Sequence, residues 1–138
     1  MGVIRHLEPE RIEALLATSI VGRIACNASR ERPYLVPLAY AYDGESVYAV
    51  SGPGRKVDLM RADPRISFEV DRVETSDSWQ SVVAEGEYEE VSDPDEIQMA
   101  VAILEGATGG PVVMGDHSIV FRLRLTAKSG RFETPDEG

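Results

Sequence analysis

Cysteine is almost absent from this chain. Its 138 residues include one, Cys26, which excludes an intramolecular disulfide and fits a reducing compartment. Histidine is nearly as scarce: His6 and His117, with one cysteine, offer no metal-binding cluster of recognisable spacing. Long apolar runs are lacking too. The opening MGVIRHLEPER carries no signal-like apolar stretch, and no segment approaches the roughly 20 apolar residues that span a bilayer. A cytoplasmic protein with no membrane partner is therefore expected. Positive charge is the next deficit, with 14 Lys and Arg against 24 Asp and Glu and a net charge of -10. Nucleic acid needs a basic field to bind, so it is excluded as the main partner. Repeats, linkers and low-complexity segments are missing apart from the polar tail TPDEG. A single domain covering residues 1-138 is expected, large enough to bury a core without metals or disulfides.

What is present is mostly strand. IVGRIACNA, PYLVPLAYAY and ESVYAV are rich in β-branched and aromatic residues, and Asp43-Gly44 joins the last two as a tight hairpin. From Arg65 to Asp71, Ile66, Phe68 and Val70 alternate with Ser67, Glu69 and Asp71, which predicts a strand with one wet face. Further strands are expected from Trp79 to Val91 and around Ile119 to Leu125. Three helices punctuate them. The first opens at Glu8-Pro9-Glu10 and buries Ile12, Leu15 and Leu16; the second follows the turn around Pro53 and runs up to Asp63-Pro64, with Val57 and Met60 on one face. The third opens at Asp93-Pro94-Asp95-Glu96 and repeats Ile97, Ala100, Val101 and Leu104 at helical spacing. Many short strands with few helices predict a small antiparallel barrel with helical additions.

The second helix departs from the other two. They start with acids, as the positive end of a helix dipole favours, whereas this one starts Gly54-Arg55-Lys56 in the stretch SGPGRKVDLMRADP. Free backbone N–H groups after a glycine-rich turn, joined by two cations, make a receptor for phosphate. The alternative is that Asp58 supplies the acid and the cations reach into water. The spacing is not that of a nucleotide-triphosphate loop, which needs four residues between its glycines and a Lys-Ser/Thr ending. A second irregularity is Pro37, inside an otherwise regular strand. It marks an edge, a bulge or a place where a ligand lies on the backbone. The Asp43-Gly44 hairpin is expected to set Pro37 and its neighbours beside the strand leading into Ser51, so that a flat apolar group at Pro37 and an anion at Arg55 fit one molecule.

Other constellations carry less. Asp116-His117-Ser118 cannot form a relay, because neighbours on a strand point to opposite faces. Cys26 reads as a small core residue, Glu85, Glu87 and Glu89 as a solvated strand face, and Tyr40, Tyr42 and Tyr48 as barrel core.

The blocks VGRIAC, RPYLVPLAYAYDGESVYAVSGPGRKVDLMRADPRISFEVD and WQSVVAEGEYEEV, in that order, resemble the pyridoxamine phosphate oxidase-like flavin-binding split barrels, especially their nitroimidazole-resistance type branch. The resemblance implies a mainly β (α+β) fold: a six-stranded antiparallel split β-barrel with peripheral helices, homodimeric, with FMN between the subunits. It implies that the flavin ring lies along Val36, Pro37, Leu38 and Ala39, and that the phosphate meets Arg55 and Lys56. Val50 and Ser51 match the stretch that touches the flavin from a neighbouring strand, and Trp79 and Ser81 match the start of a later strand that does so. Ser81 stands where oxidase relatives place a glutamine. Two departures bear on activity. The chain ends RFETPDEG without the Trp and Arg motif that pyridoxamine phosphate oxidases use for substrate, so that reaction is not expected. Val50 stands where nitroimidazole-resistance relatives often carry histidine. The expectation is an FMN oxidoreductase taking electrons from NAD(P)H to a small electron-poor substrate. The alternative is a non-catalytic protein that binds or senses flavin, haem or the deazaflavin F420.

Overall fold

The computed structural model describes residues 2–135. In chain order the elements are β1 (Val3–His6), α1 (Pro9–Thr18), β2 (Val21–Cys26), β3 (Tyr34–Ala39), β4 (Ala41–Tyr42), β5 (Ser46–Ser51), α2 (Arg55–Ala62), β6 (Arg65–Thr75), β7 (Ser78–Glu90), α3 (Pro94–Thr108) and β8 (Ile119–Thr134). All the strand pairings are antiparallel, in the order β3-β2-β6-β7-β8-β5-β4, with β1 added along β8.

This order makes the sheet curl. β3 lies at one end and β4 at the other, yet only Tyr40 separates them in sequence. One continuous stretch therefore pairs with β2 in its first half and with β5 in its second, so the two ends of the sheet meet at a corner. The result is a split barrel of mainly β class with peripheral helices. Counting β3 and β4 as one bent strand, and setting β1 aside, its strands are the expected six; β1 was not foreseen. Tyr40 fixes the corner. Its ring is fully buried, meets Phe68 edge-on at 5.0 Å, and its hydroxyl donates to the Leu16 carbonyl at 2.6 Å.

The interior is filled by alternate strand residues, as the period of two requires. Ile24, Leu38, Val47, Phe68, Val70, Val82, Phe121 and Leu123 form its body, and Leu15 and Leu16 of α1 complete it. Gly22 is needed for this packing, because a Cβ there would lie 2.3 Å from Phe68 Cζ. A smaller cluster of Tyr48, Val91, Ala100 and Val120 lies between β5 and α3. The helix signals act as the sequence indicates. Asp93 accepts the Glu96 N–H at 3.1 Å at the start of α3, and Gly109 ends that helix at φ 76.

Two strands run well past their expected ends. β6 continues to Thr75 and β8 to Thr134, because each pairs with the long β7 over most of its length. Glu87 and Glu89 are not merely solvated: they pair with Arg124 and Arg122 on β8. Tyr40 and Tyr48 are buried and Tyr42 half-buried. Among the described residues no helix is long and apolar enough to cross a membrane, and no group of His, Cys, Asp or Glu is placed to hold a metal ion.

Candidate functional site

α2 opens with its first helical hydrogen bond from Asp58 N–H to Gly54 C=O, 3.1 Å. The amides of Arg55, Lys56 and Val57 precede it and have no acceptor within the helix. Val57 and Met60 anchor the other side of α2 in the protein interior. This fixes the direction in which the two cations emerge. Arg55 places its guanidinium carbon 4.7 Å from the centre of the Tyr34 ring and donates from Nη2 to Glu31 Oε2 at 2.8 Å. Lys56 is half-buried, and its charge is felt at Cys26 on the end of β2. Burial pushes the Cys26 thiol up, and Lys56 opposes that rise. Arg55 therefore faces the connection between β2 and β3, where Glu31 and Tyr34 lie, and Lys56 is near enough to Cys26 to act on its thiol.

β3 is an edge strand along Val36, Pro37, Leu38 and Ala39. The Tyr40 N–H bonds to the Ile20 carbonyl at 3.0 Å, which sets the alternation of the ladder. Two residues on from that pair, Gly22 faces Leu38, and two further on Ile24 faces Val36. Val36 and Leu38 thus direct their backbone groups to β2 and their side chains inward. The intervening residues, Leu35, Pro37 and Ala39, direct theirs to the open edge. Pro37 consequently removes no donor from the ladder, which explains why a proline is tolerated here.

The other sequence-predicted residues lie elsewhere. β5 pairs with β4 and β8, so the hairpin does not set Pro37 beside Ser51 as expected; the bend at Tyr40 carries β3 away to β2. The approach of α2 to β3 is made instead by Arg55 on Tyr34. Val50 packs beneath α3 beside Ile97, and Ser51 donates to the Gly52 carbonyl at 2.8 Å. Trp79 donates from its indole N–H to Glu133 at 2.9 Å, and Ser81 lies opposite Asp71 and Arg131. Between β3 and β7 lie β2 and β6, so Pro37 and Ser81 sit three strands apart, and the residue of β7 in register with Pro37 is Val83. One chain does not bring them to one ligand atom.

The outer face between them is uncovered. Pro37, Arg23, Glu69 and Val83 form a row across four strands, flanked by exposed Leu35, Val21 and Val73. Within it Arg23 Nη1 lies 3.3 Å from Asp71 and 3.5 Å from Glu69. Burial and the adjacent Asp71 push the Glu69 carboxyl up to about 7, against the pull of Arg23. A wide groove of about 1350 Å³ lies off this row, lined by Asn27, Asp63, Arg65, Ser67, Glu85 and Thr126, and contains none of the predicted residues. Glu31 and Tyr34 were not singled out from sequence. The available signal was an acid set between Arg30 and Arg32, just before an aromatic strand start.

Residues 8–132 match the family described as pyridoxamine 5'-phosphate oxidase. The chain belongs to that family. Among solved members of this fold, a FAD-binding protein from Mesorhizobium loti is 35% identical, with a TM-score of 0.82 over 96% of this chain and 99% of that one. A Bacteroides thetaiotaomicron protein described as a putative 5-nitroimidazole antibiotic resistance protein superimposes with a TM-score of 0.81 at 18% identity, over 96% of this chain and 89% of that one. At that identity the likeness is one of fold. An uncharacterised protein of Rhizobium meliloti is 34% identical over 88 residues, 64% of this chain. The match spans 58% of that relative's length.

Proposed function

We propose that the chain binds FMN in a site shared by two copies of itself and serves as an oxidoreductase, with NAD(P)H as electron donor and a small electron-poor molecule as acceptor. The observation that carries this reading is the convergence of Arg55, Lys56 and the free amides of α2 on the start of the edge strand β3. The donor set fits the cofactor. Two cations and unsatisfied N–H groups suit a phosphate, and the open edge offers a planar heterocycle the N–H donors of Leu35 and Ala39 and the carbonyl acceptors of Leu35, Pro37 and Ala39. Kinship with the FAD-binding protein of Mesorhizobium loti supports a flavin, and FAD contains the FMN moiety.

The same arrangement supports a homodimer. Residues on β3 and β7 that the family resemblance assigns to one flavin are separated within one chain, and the outer face between them, where Arg23, Glu69 and Asp71 stand among exposed Val21, Leu35, Val73 and Val83, is open. A second copy supplies what one protomer lacks. When bound, the flavin would supply the redox chemistry; the protein's part is to bind the phosphate, align the ring on the β3 edge and exclude water. The ten residues Val36, Pro37, Leu38, Ala39, Val50, Ser51, Arg55, Lys56, Trp79 and Ser81 remain the proposed contact set, Val50 through its backbone.

A second reading is a protein that holds or senses a flavin, F420 or haem without turnover. It is favoured by Val50, whose side chain is packed under α3 and offers no titratable group. The two readings separate on purified protein. A yellow sample that bleaches anaerobically with NADPH and regains colour on adding a nitroaromatic acceptor is the expected result. A yellow sample inert to NADPH and NADH selects the second reading. A colourless protein that leaves FMN fluorescence unquenched removes FMN altogether.

A further inference from the structure

Arg55 already has an anion. Its Nη2 lies 2.8 Å from Glu31 Oε2, while the guanidinium carbon lies over the Tyr34 ring, 4.7 Å from its centre. Lys56, the next residue, has no carboxylate within 4 Å among the described residues. Of two cations beside the free amides of α2, one is neutralised by a residue of the loop between β2 and β3 and one is not. A carboxylate and a phosphate make the same charge-assisted bonds to a guanidinium, so they compete for the same edge of Arg55.

We propose that Glu31 is an internal ligand of Arg55 that occupies the phosphate position in the empty protein and is displaced when a flavin phosphate binds. This rests on the reading of Arg55 as a phosphate partner. The geometry suits exchange rather than permanent pairing. The side chains of Arg55 and Glu31 are 52% and 72% exposed, so their ion pair is weak and reversible in water. A phosphate gains Arg55, Lys56 and the α2 amides together, which one carboxylate cannot match. Tyr34 keeps the guanidinium in place through the exchange, because its contact is with the ring's π face and uses no hydrogen-bond acceptor that the anion would have to replace. Glu31 therefore lowers affinity for phosphorylated ligands and leaves affinity for unphosphorylated ones unchanged.

The test titrates wild type and Glu31→Gln with FMN and with riboflavin, which has the same ring and no phosphate. Glu31→Gln is expected to bind FMN about two- to fivefold more tightly, the range of an exposed ion pair, and riboflavin with unchanged affinity. In an Arg55→Ala background the Glu31→Gln gain should vanish. Unchanged or weaker FMN binding by Glu31→Gln would overturn the proposal, and so would equal tightening of riboflavin. Wild-type protein that prefers FMN to riboflavin not at all would remove the phosphate reading itself, and the role of Glu31 with it.

Discussion

The guanidinium of Arg55 rests 4.7 Å from the centre of the Tyr34 ring. This contact joins the first residue of α2 to the first residue of β3, elements that share no backbone hydrogen bonds in the sheet. The charge placement is unfavourable to the helix by some tenths of a kcal/mol, and it puts Arg55 at the start of the edge strand β3.

Replacing Arg55 and Lys56 together with Ala should weaken FMN binding roughly a hundredfold, as loss of charge-assisted phosphate contacts implies. Stability should fall by less than about 1 kcal/mol, because the Arg55–Glu31 ion pair that is lost is exposed. Fluorescence titration and urea unfolding of the same preparation check both. Equal FMN affinity in the double variant would remove these residues from the phosphate site.

Tyr40→Phe should lower stability by about 1–2 kcal/mol with an unchanged urea dependence. The substitution keeps the ring on Phe68 but leaves the buried Leu16 carbonyl without its donor. A loss of less than about 0.3 kcal/mol would mean that the corner does not depend on this bond.

Gly22→Ala should destabilise by about 1–3 kcal/mol, since a methyl group meets Phe68 Cζ at 2.3 Å and the Glu69 carbonyl at 2.9 Å. The ring can yield but the neighbouring backbone cannot. A combined Gly22→Ala and Phe68→Leu variant should be more stable than the sum of the two losses, measured as a double-mutant cycle.

The Glu69 carboxyl is pushed up to about 7 in the folded chain by burial and by Asp71. The folded state therefore holds this proton more tightly than the unfolded state does. The stability that the proton contributes is fully present below the ordinary carboxylate value of 4.5 and is lost as pH rises through about 7. Glu69→Gln should flatten this part of the profile and melt a few degrees higher than wild type at pH 8, with little difference at pH 4. Parallel melting curves across pH 4 to 8 would contradict this assignment.

Much of the fold was legible because its signals are local. The alternation in Arg65–Asp71, the Asp43-Gly44 turn and the Asp93 cap each act within a few residues. The ends of β6 and β8 were not, since a strand stops where its partner stops and β7 is remote in sequence. The strand Val3–His6 was missed for a related reason. Its residues are all exposed, so it carries no buried face to betray it, and it forms only because β8 offers an edge.

The site divides in the same way. By itself the sequence determined that a cationic helix start follows a glycine-rich turn, and that a proline interrupts a strand, because both are departures from local propensity. Only the tertiary structure decided that Tyr40 turns the chain from one end of the sheet to the other. It thereby decided that Pro37 sits on an open edge away from Ser51, that Val50 is covered by α3, and that Glu31 reaches Arg55. Those outcomes depend on long-range strand pairing, and no local preference of a residue encodes which remote strand it will meet.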